Sequence, residues 1–490
     1  MRAKKIDNVW MEIQTNDDGI LLELRDYFSF QVPGYQFKRQ YRDGVWDGSI
    51  KLFNAFERKL YIGLLPYLKK FASQFGYELT VDDSLFTKQQ MTPKEIQEFV
   101  AYVDPQKKGK PIKPRYYQMM ALYYLINAKR SVLVSPTASG KSLIIYLFAK
   151  WLTEQNKRLI LIVPTTNLVE QMASDFIDYS NGEFEPYFHK IYAGKQKNNA
   201  EAGIYITTWQ SVYELPKMYF DQFEAVIVDE AHGVQAKSLK TILEKSQAEY
   251  RSGLTGTMHD PEAHKWVIEG LLGETVDLIS MQELMERKWV SKLKVNCILF
   301  NHDEETKKAA SNLPYHDEIK LLLENDKRTQ KILKAVGKVK ENSFVLFDKV
   351  KYGEHLFKTV SEMYPERNVY IVYGNTDVED REKIRQALEN EVGSIVIASY
   401  KVFSTGTSID NLHHLFFAEP VGKSKFRIYQ SIGRSLRLHS EKEFATLWDF
   451  VDKLTNNKSK MNHMMRHFVE ERIQRYNEQG FDYRIIKVDL

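Results

Sequence analysis

The strongest constraint on the fold is a repeated alternation of short apolar runs with helical stretches. The runs SVLVSP, RLILIVP, GIYITT, EAVIVDE and YRSGLTG alternate with helical segments between residue 116 and about residue 280. The alternation resumes between about residue 281 and residue 455, with NSFVLFD, NVYIVYG, GSIVIAS, HLFFAEP and ATLWDF. Continuous apolar strands separated by helices are typical of parallel sheets buried on both faces. The pattern predicts an α/β protein with two successive parallel-sheet domains.

The segments outside this alternation have other patterns. Residues 1–95 are dense in aromatics and turn signals such as VPGY and RDGVWDGS, which predicts a small α+β domain of short strands and hairpins. Residues 96–115 are expected to be a basic linker, because DPQKKGKPIKPR holds three prolines and five basic side chains. Residues 456–490 predict a C-terminal tail, an amphipathic helix followed by a short strand-like end.

Composition excludes several classes of protein. The single cysteine, Cys297, rules out an internal disulfide framework and a multi-cysteine zinc site, which fits a reducing compartment. No apolar run approaches the ~18 residues that a spanning helix needs, so we expect a cytoplasmic protein, or one of the host cytoplasm if the source is viral. The formal net charge of +4 over 490 residues says little about a polyanionic partner.

The stretch SPTASGKS, residues 135–142, lies between an apolar run and a helical pattern. It departs from the phosphate-loop pattern G-x-x-x-x-G-K-[ST] only at Ser135, where the pattern has glycine. By itself the stretch is compatible either with a phosphate-binding loop or with an ordinary strand-to-helix turn.

A second stretch, VIVDEAH at residues 226–232, ends an apolar strand in two adjacent carboxylates. At the carboxyl edge of a parallel sheet, beside a phosphate loop, Asp229 could help to hold Mg²⁺ and Glu230 could activate the attacking water. The two stretches together favour nucleotide hydrolysis.

DEAH and six further stretches occur along the chain in the same order as the motifs of superfamily-two helicases. The chain resembles that family over residues 116–455. They are RYYQ (115–118), PTTNLVEQ (164–171), TTWQS (207–211), LTGT (254–257), ASYKVFSTGTSID (398–410) and QSIGRSLR (430–437). Members of this family commonly replace the first loop glycine with Ala or Ser, so Ser135 fits the family. The chain is most similar to the DEAH-containing type that includes the RecG and XPB translocases. The resemblance implies two tandem RecA-like domains behind the N-terminal domain.

The resemblance implies ATP and Mg²⁺ as cofactors. Lys141 would pair with the β/γ-phosphate oxygens, and the Ser142 hydroxyl and Asp229 would bind Mg²⁺. Glu230 would be the catalytic base, and Gln118 would read the adenine. The nucleotide-binding set that it implies is Gln118, Ala138, Ser139, Gly140, Lys141, Ser142, Gly406 and Asp410.

Two arginines in QSIGRSLR complete the implied catalytic set. Arg434 and Arg437 lie three residues apart on a predicted helix and therefore share a face. Arg437 resembles the arginine finger of the family and Arg434 its partner, both acting on the γ-phosphate from the second domain. The residues implied to couple hydrolysis to motion are His232, Thr255, Thr257 and Gln430.

Further positions match family residues that contact the sugar-phosphate backbone. Small hydroxyl groups and strand-end amides of this kind bind phosphates without reading bases, so we expect largely sequence-independent binding. These positions are Thr165, Thr208, Gln210, Arg381, Ser404 and Thr405.

The N-terminal domain contributes a local charge excess. Residues 31–70 hold eight basic and three acidic side chains, and Lys38, Arg39 and Arg42 are the candidates for phosphate contacts. Five aromatics are interleaved with them, namely Tyr35, Phe37, Tyr41, Trp46 and Phe53. These rings could stack on exposed bases or could form the core of the small domain, and the sequence leaves both open.

The function implied is an ATP-dependent DNA helicase or translocase that unwinds branched DNA and drives branch migration at recombination intermediates and stalled forks. The expected partners are branched or forked DNA, single- and double-stranded, and an RNA–DNA hybrid, with no membrane and a monomeric state. Two alternatives stay open, an RNA helicase and a nucleotide-gated clamp that binds nucleic acid without unwinding it.

Overall fold

In the computed structural model, most of the chain folds into two compact units. The structure describes residues 1–32, 34–192, 197, 199, 201–235, 237–256, 258, 262–406, 411–420, 432–433, 444–456 and 461–490. The first unit comprises Met1–Ser135 with Gly140–Ile279, and the second comprises Pro136–Ser139 with Ser280–Leu490. No helix in these described ranges is long and apolar enough to cross a membrane.

The first unit begins with a small α+β module, in agreement with the turn-rich sequence. Its elements are β1 (Arg2–Lys5), β2 (Trp10–Gln14), α1 (Asp18–Tyr27), β3 (Ser29–Gln31), α2 (Arg39–Arg42), β4 (Ser49–Lys51), β5 (Lys59–Tyr61), α3 (Leu65–Phe75) and β6 (Thr80–Val81). Four strands form a sheet in the order β5-β2-β1-β6, and β3 pairs with β4 in a separate antiparallel ladder. Helix α3 buries Leu65, Leu68 and Phe71, which recur at helical spacing on one face.

The segment 96–115 differs from the expected linker. Helix α4 (Pro93–Val103) begins at Thr92, whose hydroxyl accepts from Glu95 N while the Glu95 carboxylate accepts from Thr92 N. The short strands β7 (Gln106–Lys107) and β8 (Lys110–Pro111) then pair around a two-residue turn. Its Lys108 and Gly109 both have positive φ, 53° and 71°, which suits a tight hairpin. The prolines were expected to prevent regular structure. Pro111 nevertheless pairs with Gln106, because a two-stranded ladder tolerates the absence of the proline N–H donor.

The first parallel sheet follows in the same unit. Its strands are β9 (Arg130–Val134), β10 (Leu159–Val163), β11 (Phe188–Ile191), β12 (Ile204–Thr208), β13 (Ala225–Asp229), β14 (Tyr250–Thr255) and β15 (Thr275–Asp277). The helices are α5 (Tyr116–Asn127), α6 (Lys141–Glu154), α7 (Thr166–Tyr179), α8 (Trp209–Val212), α9 (Lys217–Phe220), α10 (Lys237–Lys245) and α11 (Glu262–Leu272). The strand order is β11-β12-β10-β13-β14-β9-β15, and every pair is parallel.

The N-terminal module and the first parallel-sheet domain share one continuous apolar core. Trp266 on α11 lies among rings of the module, with centroids 4.7 Å from Phe30 and 4.2 Å from Tyr67. The backbones also meet, because a Cβ on Gly63 would lie 1.9 Å from the Glu269 carbonyl oxygen. The module is therefore an integral part of the first unit.

Polar contacts accompany this shared core. The Tyr61 hydroxyl donates to Glu244 at 2.6 Å, and the Tyr67 hydroxyl donates to Glu269 at 2.5 Å. The Asn8 side chain donates to Gln247 O at 2.7 Å. Hydrogen bonds of this kind fix the orientation of two surfaces that apolar burial alone would leave free to slide.

The second unit carries a second seven-stranded parallel sheet. Its strands are β16 (Lys292–Asn301), β17 (Ser343–Phe347), β18 (Val369–Val372), β19 (Ile395–Ser399), β20 (His414–Phe417), β21 (Phe444–Lys453) and β22 (Asp482–Asp489), in the order β18-β19-β17-β20-β21-β16-β22. The helices before the tail are α12 (Met281–Glu286), α13 (Glu304–Ala309), α14 (Tyr315–Leu323), α15 (Asp326–Gly337), α16 (Val350–Met363), α17 (Val378–Asn390) and α18 (Tyr400–Gly406). Two all-parallel sheets confirm the α/β class. Cys297 lies buried in β16.

The C-terminal tail completes the second sheet. After the helical segments His463–His467, Phe468–Arg472 and Ile473–Glu478, strand β22 pairs in parallel with β16 along its whole length. Arg472 is buried against Asp449 of β21, whose other carboxylate oxygen accepts from the Tyr476 hydroxyl at 2.8 Å. The strand-like end that the sequence indicates is therefore an edge strand of the second sheet.

Candidate nucleotide and nucleic-acid site

Three neighbouring strands of the first sheet end in the candidate catalytic residues. The sheet order places β14 between β13 and β9, and the chain leaves each strand at the same carboxyl edge. Ser135 N, directly after β9, donates to Thr255 O at the end of β14 at 2.9 Å. Stretches separated by about a hundred residues in sequence thus meet at one edge of one sheet.

The phosphate-loop stretch has the backbone of an anion-binding loop. Ala138 and Gly140 have φ values of 69° and 81°, and α6 begins at Lys141 directly afterwards. Left-handed residues before a helix turn successive N–H groups toward one point, where the helix dipole also favours negative charge. The residues predicted to bind phosphate, Ala138–Lys141, therefore lie at a helix N-terminus preceded by left-handed backbone.

Gln118 lies against this loop. Its side chain is 5% exposed, and its Oε1 accepts from Arg115 N at 2.8 Å. A Cβ on Gly140 would lie 2.5 Å from Gln118 Nε2, so the backbone of the loop approaches the amide closely. The structure therefore brings together the glutamine and the glycine that the motif comparison placed in one site.

The adjacent carboxylates lie at the end of β13. Asp229 is 7% exposed and closes the strand. Glu230 has φ 56°, a backbone conformation that non-glycine residues seldom adopt. Lys141 Nζ is 3.6 Å from Glu230 Oε1 and 3.5 Å from Ser135 O, and both charged side chains are mostly buried. The lysine and the proposed base therefore face the same point.

His232 connects the carboxylates to β14. Its Nδ1 lies 3.4 Å from Glu230 Oε2 and 3.1 Å from Thr255 Oγ1. A single imidazole thus contacts the proposed base and a strand end of the sheet. His232 and Thr255, both predicted to couple hydrolysis to motion, are therefore in direct contact.

Sequence reasoning missed Tyr179. The Ser142 hydroxyl, a predicted Mg²⁺ ligand, is 2.9 Å from the Tyr179 hydroxyl. The Tyr179 ring also lies 5.5 Å from the Tyr146 ring. Nothing local in the sequence marks this residue, because the contact joins the first turn of α6 to the last residue of α7.

Two predicted nucleic-acid residues lie at the ends of adjacent strands. Thr165 follows β10 and caps α7, where its hydroxyl accepts from Leu168 N at 3.4 Å. Thr208 ends β12, with its hydroxyl 2.9 Å from that of Ser211. Gln210 lies exposed in α8. The three share the carboxyl edge of the sheet with the loop and the carboxylates.

The structure describes only some of the remaining predicted site residues. Arg381 of α17 donates through Nη2 to Tyr373 O at 3.1 Å and to Gly374 O at 3.0 Å, so it supports the turn after β18. Ser404, Thr405 and Gly406 lie in α18, without described side chains. The remaining predicted residues, Thr257, Asp410, Gln430, Arg434 and Arg437, lie outside the described residues.

The basic candidates of the N-terminal module are exposed. Lys38, Arg39 and Arg42 all lie on the surface around α2, and Arg39 pairs with Asp43 at 3.2 Å. The aromatics divide between the two alternatives that the sequence left open, since Phe53 is 2% exposed and Phe37 is 73% exposed.

Comparisons with known proteins find similarity along most of this chain. The family model "DNA helicase UvsW, N-terminal" matches residues 2–82, and "Type III restriction enzyme, res subunit" matches residues 111–260. The ATP-dependent DNA helicase uvsW of Enterobacteria phage T4 is 36% identical over 485 residues, which cover 96% of this chain and 95% of the phage protein.

A further curated relative and two solved structures also resemble this chain. The DNA 3'-5' translocase XPB2 of Sulfurisphaera tokodaii is 22% identical over 70% of this chain and 82% of its own length. The crystal structure of T4 UvsW superposes with a TM-score of 0.54 at 33% identity and covers 100% of this chain and 99% of that one. Dbp5 of S. cerevisiae, bound to RNA and ADP BeF3, gives a TM-score of 0.53 at 13% identity over 81% and 93% of the two chains.

Proposed function

The chain belongs to the UvsW family of superfamily-two helicases, and we propose that it is an ATP-driven motor that unwinds branched DNA and drives branch migration at recombination intermediates and stalled forks. The observation that carries the proposal is the meeting of Lys141, Glu230 and His232 at one edge of the first sheet. A lysine beside a carboxylate, next to a left-handed loop and a helix N-terminus, suits phosphoryl chemistry on a nucleoside triphosphate.

We assign hydrolysis to residues of the first unit. Lys141 would leave Glu230 to pair with the β/γ-phosphate oxygens, because a phosphate carries more charge than a carboxylate. Glu230 would then be released to orient and deprotonate the attacking water. Gln118 would bind the adenine from its position beside Gly140.

The donor set fits Mg²⁺. The Ser142 hydroxyl and the Asp229 carboxylate are hard oxygen ligands, and Mg²⁺ in nucleotide sites takes its other ligands from phosphates and water. Among the described residues, no group of three or more His, Cys, Asp and Glu side chains could hold a metal by itself. When bound, Mg²⁺ would neutralise charge on the phosphates.

The nucleic-acid contacts support a motor that tracks the backbone. Thr165 and Thr208 present hydroxyls at helix N-termini, where phosphates bind without base readout. His232 contacts both Glu230 and Thr255. A movement of Glu230 during hydrolysis would therefore be transmitted through His232 to Thr255 at the end of β14. We propose that Arg434 and Arg437 supply the arginine finger and its partner, as the motif order implies.

A substrate panel tests the proposal. We expect forked DNA and four-way junctions to stimulate ATP hydrolysis and to be unwound, and linear duplex and RNA to respond more weakly. Displacement of a labelled strand distinguishes a motor from a nucleotide-gated clamp. Stimulated hydrolysis without strand displacement would favour the clamp, and a preference for RNA duplexes would favour an RNA helicase. Sedimentation with and without DNA tests whether a monomer acts.

A further inference from the structure

Residues 34–48 form a folded loop between β3 and β4, here called the aromatic loop. Val45 N and Trp46 N both donate to Gln40 O, at 3.0 and 3.2 Å. The Trp46 indole N–H donates to Ser49 O at 2.8 Å. A loop closed by its own hydrogen bonds holds its side chains in fixed directions.

Two of the rings on this loop stabilise it. Tyr35 and Tyr41 meet edge to face, with centroids 4.7 Å apart. The Tyr35 ring also occupies the space beside Gly48, where a Cβ would lie only 2.3 Å from it, and Gly48 has φ +81°. These contacts account for part of the aromatic content of the loop.

Other apolar side chains of the loop face solvent. Phe37 is 73% exposed and Val45 is 80% exposed. Because the hydrophobic effect rewards only surface removed from water, these two side chains add little to the stability of the module. Two exposed apolar side chains on one hydrogen-bonded loop favour a contact surface.

The charges around the loop suggest the chemistry of its partner. Lys38, the next residue along the chain from Phe37, and Arg42 are both exposed, and Lys38 Nζ lies 5.4 Å from the centre of the Trp46 ring. Cations interleaved with rings complement a nucleic-acid strand, whose phosphates and bases alternate in the same way. An acidic protein surface would pair with the cations, whereas a nucleic-acid strand offers phosphates to the cations and a base face to Phe37 at every nucleotide.

The base of the loop is tied to the first parallel-sheet domain. Strand β3 leads into the loop, and its Phe30 ring lies edge to face with Trp266 of α11 at 4.7 Å. The loop therefore belongs to the same compact unit as Lys141 and Glu230. A loop that separates DNA strands must keep its position relative to the motor domain while the duplex moves. The Phe30–Trp266 contact fixes the base of the aromatic loop to that domain.

We propose that the aromatic loop is the strand-separating contact of this helicase. Phe37 and Val45 press against the bases at a DNA branch point, while Lys38 and Arg42 bind the flanking phosphates. Apolar side chains act as wedges between base steps elsewhere, and stacking on a ring tolerates every base. The proposal rests on the proposed function and adds the element that separates the strands.

The test uses the full chain and a fork with 2-aminopurine at the branch point. Phe37→Ala, alone and with Val45→Ser, should reduce the fluorescence change on binding and slow unwinding by roughly tenfold, the scale of one lost base stack. Phe37→Trp should restore both signals. ATP hydrolysis stimulated by linear duplex should stay at the wild-type level, because Phe37 and Val45 contact bases only at a branch point and the phosphate-binding Lys38 and Arg42 are unchanged.

Phe56→Ala is the matched control. Phe56 is 96% exposed in the same module, but the cations beside it pair with carboxylates, Arg58 with Asp18 and Lys59 with Glu57. Its loss should change neither signal. Wild-type fluorescence and unwinding in Phe37→Ala with Val45→Ser would overturn the proposal and leave the loop as a protein contact. A wild-type chain that changes 2-aminopurine fluorescence without unwinding forks would refute the motor instead.

Discussion

At the scale of single residues, the proposed nucleotide site combines unusual backbone with charged side chains. Glu230 and Ala138 both have positive φ, 56° and 69°, although neither is glycine. Such conformations cost of order 1–3 kcal/mol each, and they persist where the surrounding structure enforces them. Here they occur in the two loops whose residues Lys141 and Glu230 approach each other.

Glu230→Gln tests the assignment of the base. The amide keeps the size of the side chain and removes its basicity, so ATP and DNA binding should persist while hydrolysis falls ~10²-fold or more. Nucleotide binding by fluorescence and steady-state hydrolysis measure the two separately. Glu214→Gln, on the surface of the same unit, is the control. Near-normal turnover in Glu230→Gln would remove Glu230 from this role.

The sequence predicted the members of this site better than their contacts. Ser135, Lys141 and Glu230 stand in recognisable stretches because each follows an apolar strand. The Ser142–Tyr179 contact could not be read in this way, since no local pattern marks the residue that reaches a hydroxyl from another helix.

At the scale of elements, the second unit is stabilised by a buried ionic cluster. Arg328 of α15 donates to both carboxylate oxygens of Asp452, at 2.9 and 3.1 Å, and His302 Nε2 lies 2.9 Å from the same group. Arg328 also donates to Ala418 O at 2.9 Å. The cluster joins α15 to Ala418, directly after β20, and to Asp452 near the end of β21.

The contribution of this cluster to the stability of the second unit should depend on pH in the acidic range. Burial alone would raise the pKa of Asp452, but Arg328 and His302 outweigh burial and hold that pKa at about 2. In the unfolded chain the pKa of an aspartate is ~3.9, so the Asp452 carboxylate stabilises the fold fully above that pH and loses its contribution as the pH falls through about 2.

Asp452→Asn should cost ~3–5 kcal/mol at pH 7, because Arg328 stays buried without its counterion. The difference from wild type should shrink between about pH 4 and pH 2. Denaturant unfolding across this pH range measures it, with Asp326→Asn on the exposed side of α15 as the control. A pH-independent difference would show that the charge of Asp452 does not matter.

Most strands of the two parallel sheets could be predicted from the sequence, because a strand buried on both faces is a continuous apolar run. Strand β22 was foreseen only as a strand-like end, since its alternating exposure gives it no continuous apolar run. The pairing of β22 with β16 joins residues almost two hundred positions apart, and local pattern cannot specify such a partner.

At the scale of the whole molecule, the N-terminal module and the first parallel-sheet domain behave as one body. Composition suggested a separate domain followed by a linker, but the apolar core runs continuously through both. Trp266 lies in the middle of this contact, 8% exposed among rings of the module. No sequence pattern marks the shared core, because the apolar residues of each segment have the same pattern whether they form one core or two.

Trp266→Ala should therefore destabilise the module and the domain together, by ~3–5 kcal/mol for a large ring removed from a core. Urea unfolding should show one transition shifted to lower denaturant. Tyr102→Ala, at an exposed ring of α4, is the control and should change little. Separate early unfolding of residues 1–82, seen by hydrogen exchange, would show that the shared core is not cooperative.

The close approach of Gly63 to Gly270 has a consequence for protein engineering. A Cβ on Gly63 would collide with a carbonyl of α11, and a Cβ on Gly270 would lie 2.9 Å from the Tyr61 ring. A chimera that grafts this N-terminal module onto another motor must therefore carry the receiving helix along with it. A cut in the proline-rich segment would separate the module from α11, the helix against which it packs. The boundary of an exchangeable unit therefore lies within the first parallel-sheet domain.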